Sequence, residues 1–521
     1  MYFDHKIWIG DANGEKICIA PKMANRHGLI AGATGTGKTI TLKVLAESFS
    51  DAGIPVFLAD IKGDLSGMCR PGMDSEDMQE RIARFGLAEC SFRYQAYPTA
   101  FWDIYGQAGI PLRTTISEMG PVLLSKLLDL NDTQSDILTI IFKIADDQQL
   151  LLIDTKDLKA MLQHVSDNNK EYAQKYGNIA KQSIGAIMRS LVALEAKGAE
   201  QFFAEPALNI ADWFATDTNG KGIINILDGR TLISDSAMYS TFLLWLMSEL
   251  FETLPEVGDL EKPRMVFFFD EAHLLFKDIS KALQEKIEQV VKLIRSKGVG
   301  IYFITQSPKD IPDGVLSQLG NKIQHALRAY TPSDEKAVKT AANSFRPNPA
   351  FDTRDALTAL GTGEALISVL DEDGIPGIVQ NCRILPPQSL MGPIAEEEKK
   401  QEILINNLYL RYQNTNDRDS AYEFFLRKNQ QDMQKAAQEK QDAQEAKEAE
   451  RLAKEQKKEA EKQSRAIKSS VKKVANTAAG TIGRELGNTL GKQIGGGFGK
   501  KLGGNLGASL GRSILGTFLK L

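Results

Sequence analysis

The sequence predicts an α/β fold with a mostly parallel sheet, an all-helical insertion, and a helical, glycine-rich C-terminal tail. Three observations support this prediction. Short apolar segments alternate with helical segments before residue 70 and again after residue 215, as in parallel sheets covered by helices. Between those positions apolar residues recur every three or four positions, which is the period of amphipathic helices. After about residue 393, charged residues and then glycine replace most large apolar side chains.

A chain of 521 residues is too long for one compact domain. Its composition, with 42% apolar and 25% charged residues, is ordinary for a soluble globular protein. The four cysteines form no C-x-x-C pair, which argues against a zinc site or a disulfide framework and predicts a cytoplasmic location. No run of 18 uncharged apolar residues occurs, so we expect no transmembrane helix.

We predict five segments along the chain. They are a β-hairpin region over 1–24, an α/β core over 25–69 and 216–392, a helical insertion over 70–215, a charged helical linker over 393–465, and a basic glycine-repeat tail over 466–521. The hairpin is expected because alternating apolar residues flank Asn13-Gly14, the strongest two-residue turn signal.

The core is predicted to alternate strands and helices. Its strands are expected at 27–31, 54–59, 222–227, 265–269, 299–304 and 322–328, and its helices at 39–49, 236–254 and 280–297. The insertion should contain helices at 119–130, 133–145, 155–165 and 181–196. Residues 428–465 are almost entirely Gln, Lys, Glu and Ala, which predicts either a solvated helix with charge pairs or a partly disordered segment.

The tail combines positive charge with a glycine repeat. Residues 466–521 carry nine lysines and arginines against one acidic residue, while the whole chain has a net charge of −4. Glycines recur every fourth residue from 483 to 511, a spacing that lets helices approach closely but disfavours an isolated helix in water. Residues 480–516 are therefore expected to contact a partner helix or lie peripherally on a membrane, with a disordered tail as the alternative.

Residues 32–39 match the phosphate-loop pattern G-x-x-x-x-G-K-[ST] in full. Their sequence is Gly32-Ala33-Thr34-Gly35-Thr36-Gly37-Lys38-Thr39. In such loops successive backbone N–H groups surround a phosphate, and the following helix presents its positive N-terminus to that phosphate. Lys38 is expected to reach the β- and γ-phosphates of ATP, and the Thr39 hydroxyl to bind Mg²⁺. The strand before the loop and the helix after it are the context that this motif requires.

Two carboxylates follow the buried strand predicted at 265–269. Ligands bind open α/β sheets at the carboxyl ends of strands, and Asp270 and Glu271 occupy such an end. Asp270 is the candidate Mg²⁺ ligand, and Glu271 is the candidate base that deprotonates the attacking water. Gln306, which ends the strand at 299–304, is a candidate γ-phosphate sensor or simply a strand-end residue bonded to a loop.

The spacing of these motifs favours an ATPase. A strand at 222–228 precedes the acidic strand in sequence, which suits an ATPase in which a further strand separates the phosphate loop from the acidic strand. A GTPase is less favoured because no N-K-x-D motif is present. A small-molecule kinase fits Glu271 poorly, since that residue suits activation of water.

The chain resembles the HerA-like branch of the HerA/FtsK superfamily of motor ATPases. The matching motifs are residues 32–39, Asp60-Ile61-Lys62-Gly63-Asp64-Leu65, Asp270-Glu271-Ala272-His273, and the stretch from Arg295 to Pro308. This resemblance implies a RecA-like core assembled as a homo-hexameric ring, with an ATP site at each subunit boundary. An arginine of the neighbouring subunit would complete each site, and Arg295 and Arg328 are the two candidates.

The resemblance predicts an ATP-hydrolysing, Mg²⁺-dependent motor that acts as a DNA translocase or helicase. The basic tail suits an anionic partner such as DNA. The alternative is a motor or scaffold that acts on protein or membrane-associated cargo through the glycine repeat.

Overall fold

The computed structural model describes residues 1–232, 235–277, 279 and 281–475. The chain divides into two compact units, Met1–Arg427 and a second unit that begins at Lys428. The first unit contains both predicted core segments and the insertion, and it extends past the predicted end of the core at 392.

Within the described residues, thirteen strands form one sheet. They are β1 (Tyr2–Phe3), β2 (Lys6–Ala12), β3 (Glu15–Ile19), β4 (Gly28–Ala31), β5 (Val56–Asp60), β6 (Thr99–Asp103), β7 (Ile110–Pro111), β8 (Ile224–Asp228), β9 (Met265–Phe269), β10 (Val299–Thr305), β11 (Asn321–His325), β12 (Glu364–Ser368) and β13 (Gln380–Ile384).

The described residues also form α-helices. They are α1 (Lys38–Asp51), α2 (Glu76–Arg84), α3 (Ile116–Leu127), α4 (Asp132–Asp147), α5 (Thr155–Asp167), α6 (Asn169–Tyr176), α7 (Lys181–Glu195), α8 (Ser236–Thr253), α9 (His273–Phe276), α10 (Lys281–Leu293), α11 (Asp313–Leu316), α12 (Pro332–Asn343), α13 (Thr353–Ala359), α14 (Glu396–Ile405), α15 (Asn407–Tyr412) and α16 (Ala421–Ala475).

The central part of the sheet is parallel and confirms the predicted fold class. In the order β11-β4-β10-β9-β5-β8-β6-β7, each strand pairs in parallel with the next. Strands β5, β8, β9 and β10 are buried throughout, as expected for strands covered by helices on both faces. The antiparallel strands β12, β13 and β2 extend the sheet beyond β11.

The strand that separates the phosphate-loop strand from the acidic strand is β10, which pairs with β4 on one side and β9 on the other. From the sequence, the separating strand was expected to be the one at 222–228. That strand is β8, and it lies on the far side of β5. The assignment was wrong because crossover connections allow parallel strands to be placed in space in an order different from their order in the chain.

The insertion is not entirely helical, which corrects the prediction for residues 70–215. Thr99–Asp103 and Ile110–Pro111 form β6 and β7, and β6 pairs in parallel with β8. Trp102 is buried and donates a hydrogen bond from Nε1 to Oδ1 of Asn225 on β8, at 3.0 Å. Short apolar runs lack enough residues to show their period, so the sequence pattern did not distinguish these strands from their helical surroundings.

The N-terminal hairpin forms as predicted. Strands β2 and β3 are antiparallel, and Asn13 and Gly14 between them have φ angles of 54° and 90°. Two consecutive positive φ angles are those of the turn that Asn-Gly favours. Strand β2 also pairs with β13, so the hairpin joins the main sheet.

The charged segment after Arg427 continues α16, whose side chains from Lys428 to Ser469 are exposed. Ion pairs four residues apart, such as Lys454 with Glu450 at 2.6 Å, lie along it. The predictions for the glycine repeat at 480–516 lie outside the described residues. Among the described residues, no helix has the length and apolar character needed to cross a membrane.

Candidate active site

The phosphate loop connects β4 to α1, and three glycines give it its shape. Gly32, Gly35 and Gly37 have φ angles of 152°, 79° and 113°, which side chains strongly disfavour. The Gly32 N–H donates to the Thr305 carbonyl at 3.2 Å, and this hydrogen bond connects the start of the loop to β10. The Thr36 hydroxyl donates to the Ala33 carbonyl at 2.7 Å.

Close packing adds a second reason for two of these glycines. A Cβ on Gly32 would lie 2.5 Å from Cβ of His325, and one on Gly37 would lie 3.2 Å from the backbone nitrogen of Gly363. A Cβ on Gly35 would meet no atom within 4 Å, so its φ angle alone favours glycine there. The loop therefore presents its backbone with little side-chain obstruction, as phosphate binding requires.

Lys38 and Thr39 begin α1 directly behind the loop. The Lys38 ammonium is buried and donates to the carbonyls of Gly32 and Ala33 at 2.7 and 3.0 Å. Burial, together with the positive charge of Lys62, lowers the pKa of Lys38, while the carboxylates of Asp270 and Glu271 oppose this shift. The side chain of Thr39 is half-buried in the first turn of α1.

The end of β9 places Asp270 and Glu271 in a constrained turn. Glu271 has a φ of 50°, a left-handed conformation that is unfavourable for a non-glycine residue. The Glu271 N–H donates to Oδ1 of Asp270 at 2.9 Å, and the buried Tyr239 hydroxyl donates to the Asp270 carbonyl at 2.6 Å. Backbone outliers of this kind concentrate at functional sites, which makes this turn a candidate for function.

Burial raises the pKa of Asp270 to about 6, and the neighbouring Glu271 charge adds to the shift. The ammonium groups of Lys62 and Lys38 act in the opposite direction. Asp270 thus lies in a buried, electrostatically coupled environment with two lysines and a second carboxylate, which is typical of functional sites.

The sheet register brings these groups to one edge. Ala31 at the end of β4 is opposite Thr305, and Phe269 at the end of β9 is opposite Phe303, both on the intervening β10. Since neighbouring strands lie about 4.8 Å apart, the ends of β4 and β9 are two such spacings apart. The phosphate loop and the acidic pair therefore face each other across the end of β10.

Gln306 immediately follows β10, between the loop and the acidic pair. Its side-chain amide donates a short hydrogen bond to Oε2 of Glu271. Nδ1 of His273 lies 3.4 Å from the same oxygen. Glu271 is thus hydrogen-bonded by the Gln306 amide, with the His273 imidazole nearby.

The two candidate arginines lie at opposite edges of the sheet. Arg328 follows β11 at the carboxyl edge and lines a cavity of about 390 Å³ together with Ala33, Thr34 and Gln306. Its guanidinium donates to the carbonyls of Thr358 and Leu360 at 2.7 and 3.2 Å. The strand predicted at 322–328 ends at His325, so Arg328 belongs to the following loop.

Arg295 precedes β10 at the amino edge of the sheet and forms an ion pair with Asp259 at 3.1 Å. The amino edge is opposite the phosphate loop. The fold therefore does not bring Arg295 to the site of its own subunit.

Sequence reasoning missed two residues of this site. His325 ends β11, and its Nε2 accepts from the Thr41 hydroxyl on α1 at 2.8 Å while Nδ1 donates to the Glu364 carbonyl at 2.9 Å. Lys62 lies in a motif that was noted only as part of the family resemblance. The polar sequence of β11, Asn321–His325, offered no signal for His325, whereas Gln306 follows the apolar strand β10.

The described residues contain no cluster of three or more His, Cys, Asp or Glu side chains suited to a metal ion. A Mg²⁺ ion beside a nucleotide does not require such a cluster. That ion is usually held by one or two protein oxygens, substrate phosphates and water. The Thr39 hydroxyl and the Asp270 carboxylate fit such a site.

The family model described as helicase HerA-like C-terminal matches residues 6–507. The chain belongs to this family. The resemblance proposed from the phosphate loop and the acidic strand is thereby confirmed.

The curated relatives of this HerA-like chain include two proteins named DNA double-strand break repair helicase HerA. The protein from Sulfolobus acidocaldarius is 23% identical over 66% of this chain and 62% of its own length. The protein from Sulfurisphaera tokodaii is 26% identical over 70% of this chain and 67% of its own length. A solved structure of the bacterial conjugative coupling protein TrwB is 13% identical, with a TM-score of 0.47, over 73% of this chain and 89% of that one.

Proposed function

We propose that this chain is a Mg²⁺-dependent ATPase that drives DNA translocation or unwinding as a homo-hexameric ring. The main support for ATPase activity is that Lys38 lies at the same edge of the sheet as Asp270 and Glu271, close enough for their charges to interact. Strand β10 lies between the strands that position them. The DNA part is supported by membership of the HerA-like family and by two relatives that are named as DNA helicases.

The backbone N–H groups of residues 32–39 would bind the phosphates of ATP, and Lys38 would neutralise the β- and γ-phosphates. To reach them, its ammonium exchanges the Gly32 and Ala33 carbonyls for phosphate oxygens. Thr39 and Asp270 would hold Mg²⁺, whose positive charge would stabilise the phosphate oxygens.

Glu271 is proposed to accept a proton from the attacking water. Its carboxylate is oriented before the substrate binds, since Gln306 and the left-handed backbone restrict it. Gln306 is proposed to sense the γ-phosphate, because it follows β10 between the loop and the base. An amide that already contacts Glu271 can link the arrival of phosphate to the position of the base.

The positions of the arginines suggest different roles. Arg295, at the amino edge, can complete only the site of another subunit, so we propose it as the trans arginine of the ring. Arg328 lies beside the phosphate loop of its own chain. It is the second candidate, and its bonds to two backbone carbonyls would have to break for it to reach a neighbouring site.

The alternative, in which the motor acts on protein or membrane cargo through residues 480–516, has no support among the relatives, which are named as DNA helicases. One experiment separates the two. We expect double- or single-stranded DNA to stimulate ATP hydrolysis, and the apparent DNA affinity to fall steeply with salt. A hydrolysis rate unchanged by both forms of DNA at low salt would contradict the DNA proposal and leave the ATPase standing.

A further inference from the structure

The turn after β5 is held rigidly at the same edge of the sheet. The Asp60 carboxylate is buried and accepts hydrogen bonds from the backbone N–H groups of Gly63, Asp64 and Leu65 at 2.7, 3.1 and 2.9 Å. Gly63 has a φ of 78°, and a Cβ there would lie 2.6 Å from Cδ of Arg230. Three hydrogen bonds and this close packing fix the backbone on both sides of Lys62.

The register of the sheet places this turn beside the acidic pair. Strands β5 and β9 are parallel neighbours, with Leu58 opposite Phe268. Continuing that register by two residues brings Asp60 level with Asp270, one strand spacing of about 4.8 Å away. Lys62 follows Asp60 by two residues, so it leaves the sheet beside the carboxylates rather than at a distant surface.

The Lys62 side chain is exposed, and it forms no hydrogen bond or ion pair with any residue that the structure describes. Its charge nevertheless acts on both parts of the site. Lys62 is near enough to Lys38 and to Asp270 for its charge to act on both groups. Two ammonium groups thus lie close enough to repel each other, an arrangement that a bound anion would relieve.

We propose that Lys62 is a second catalytic cation of this site, which contacts the γ-phosphate of ATP bound to its own subunit. The inference rests on the proposed ATPase function. Lys62 would supply, from the same subunit, part of the positive charge at the site. The family resemblance places that charge on an arginine of the neighbouring subunit.

The chemistry needs a cation at this position. A water oxygen forms a bond to the γ-phosphorus as its proton passes to Glu271, and the bond between that phosphorus and the β,γ-bridging oxygen breaks, so that ADP leaves with the electron pair. Negative charge in the transition state spreads over the γ-phosphate and leaving oxygens. Lys62 stabilises that charge from the side of β5, opposite the side from which Lys38 approaches.

The test compares Lys62→Ala and Lys62→Arg with the wild-type full-length chain, using Lys170→Ala as a control. Lys170 is an exposed lysine on α6, in the insertion. We expect Lys62→Ala to lower kcat about 100-fold, the effect of removing one preorganised charge-stabilising donor. Binding of ATPγS should weaken about tenfold while binding of ADP stays unchanged, because the contact is with the γ-phosphate. Lys62→Arg should recover part of both losses, and the thermal midpoint should not move.

The inference is overturned if Lys62→Ala matches Lys170→Ala in kcat and in the ratio of ATPγS to ADP affinity. A failure of the proposed function looks different, because the wild-type chain itself would then not hydrolyse Mg-ATP. Even if the wild-type chain does not hydrolyse ATP, the ratio of ATPγS affinity to ADP affinity in Lys62→Ala still tests whether Lys62 contacts the γ-phosphate. Equal loss of ATPγS and ADP binding in Lys62→Ala would also count against a γ-phosphate contact.

Discussion

At the scale of single residues, the site depends on a few groups whose conformation is set by contacts within the protein. Glu271 is held in a left-handed conformation and hydrogen-bonded by Gln306. Gly32 cannot accept a side chain without displacing His325. Preorganisation of this kind avoids the cost of arranging charges during the reaction.

If Glu271 is the base, its substitution should slow ATP hydrolysis while leaving ATP binding nearly unchanged. We expect Glu271→Gln to bind ATP within a few-fold of wild type, because the carboxylate does not touch the phosphate loop. Turnover should fall about 100- to 10,000-fold, the usual loss for a general base. Equilibrium binding of a fluorescent ATP analogue and steady-state phosphate release measure the two quantities. A hydrolysis rate equal to that of the wild type would show that Glu271 is not the base. Lys38→Ala is the control, and it should lose ATP binding.

At the scale of elements, two buried histidines, His27 and His325, bond neighbouring elements to one another. His27, just before β4, accepts the Ile301 N–H at Nδ1 and donates from Nε2 to the Val291 carbonyl, at 3.0 and 2.8 Å. His325 on the neighbouring β11 holds α1 behind the phosphate loop through Thr41. Burial lowers the pKa of each imidazole to about 4, so both are neutral at pH 7.

These two histidines make stability depend on pH in a defined direction. Between pH 6.5 and 4 the two histidines bind protons in the unfolded chain but remain neutral in the folded chain. The free energy of unfolding therefore falls as the pH drops from 6.5 towards 4. Each histidine contributes up to about 1.4 kcal/mol per pH unit in this window. Urea unfolding midpoints of His27→Gln and His325→Gln should therefore decline less steeply than those of the wild type. His5→Gln, at an exposed position, is the control, and slopes identical to that control would contradict the prediction.

At the scale of the whole molecule, the chain separates the candidate site from its charged C-terminal part. Every residue assigned to the site lies within Met1–Arg427. Helix α14 is attached to that unit through the buried ion pair between Lys399 and Asp228 at 2.5 Å. Residues 466–521, in contrast, carry nine lysines and arginines against one acidic residue, although the net charge of the whole chain is −4.

We expect a chain ending at Arg427 to keep its thermal transition and its DNA-independent ATPase rate, since no site residue is removed. Stimulation by DNA should weaken, and the salt dependence of DNA binding should become shallower, if the basic tail contacts phosphates. Thermal melting, phosphate release and DNA binding at several salt concentrations test this. Loss of the basal ATPase rate in a folded 1–427 chain would show instead that the tail is needed to assemble the site.

The sequence by itself determined the parts of this protein that depend on local order. The phosphate loop of residues 32–39 and the acidic end of β9 were recognisable because their chemistry needs particular residues at fixed spacing in a strand–turn–helix or strand-end context. The Asn13-Gly14 hairpin was recognisable for the same reason, since two positive φ angles favour those residues.

Only the tertiary structure decided which elements are neighbours. That β10 separates β4 from β9, that β6 joins the sheet, and that Lys62 lies beside Asp270 all follow from strand pairing between distant parts of the chain. Crossover connections leave such pairing open, and it is settled by which buried surfaces pack together. The charges around Asp270 therefore meet in space without any spacing in the sequence that would reveal them.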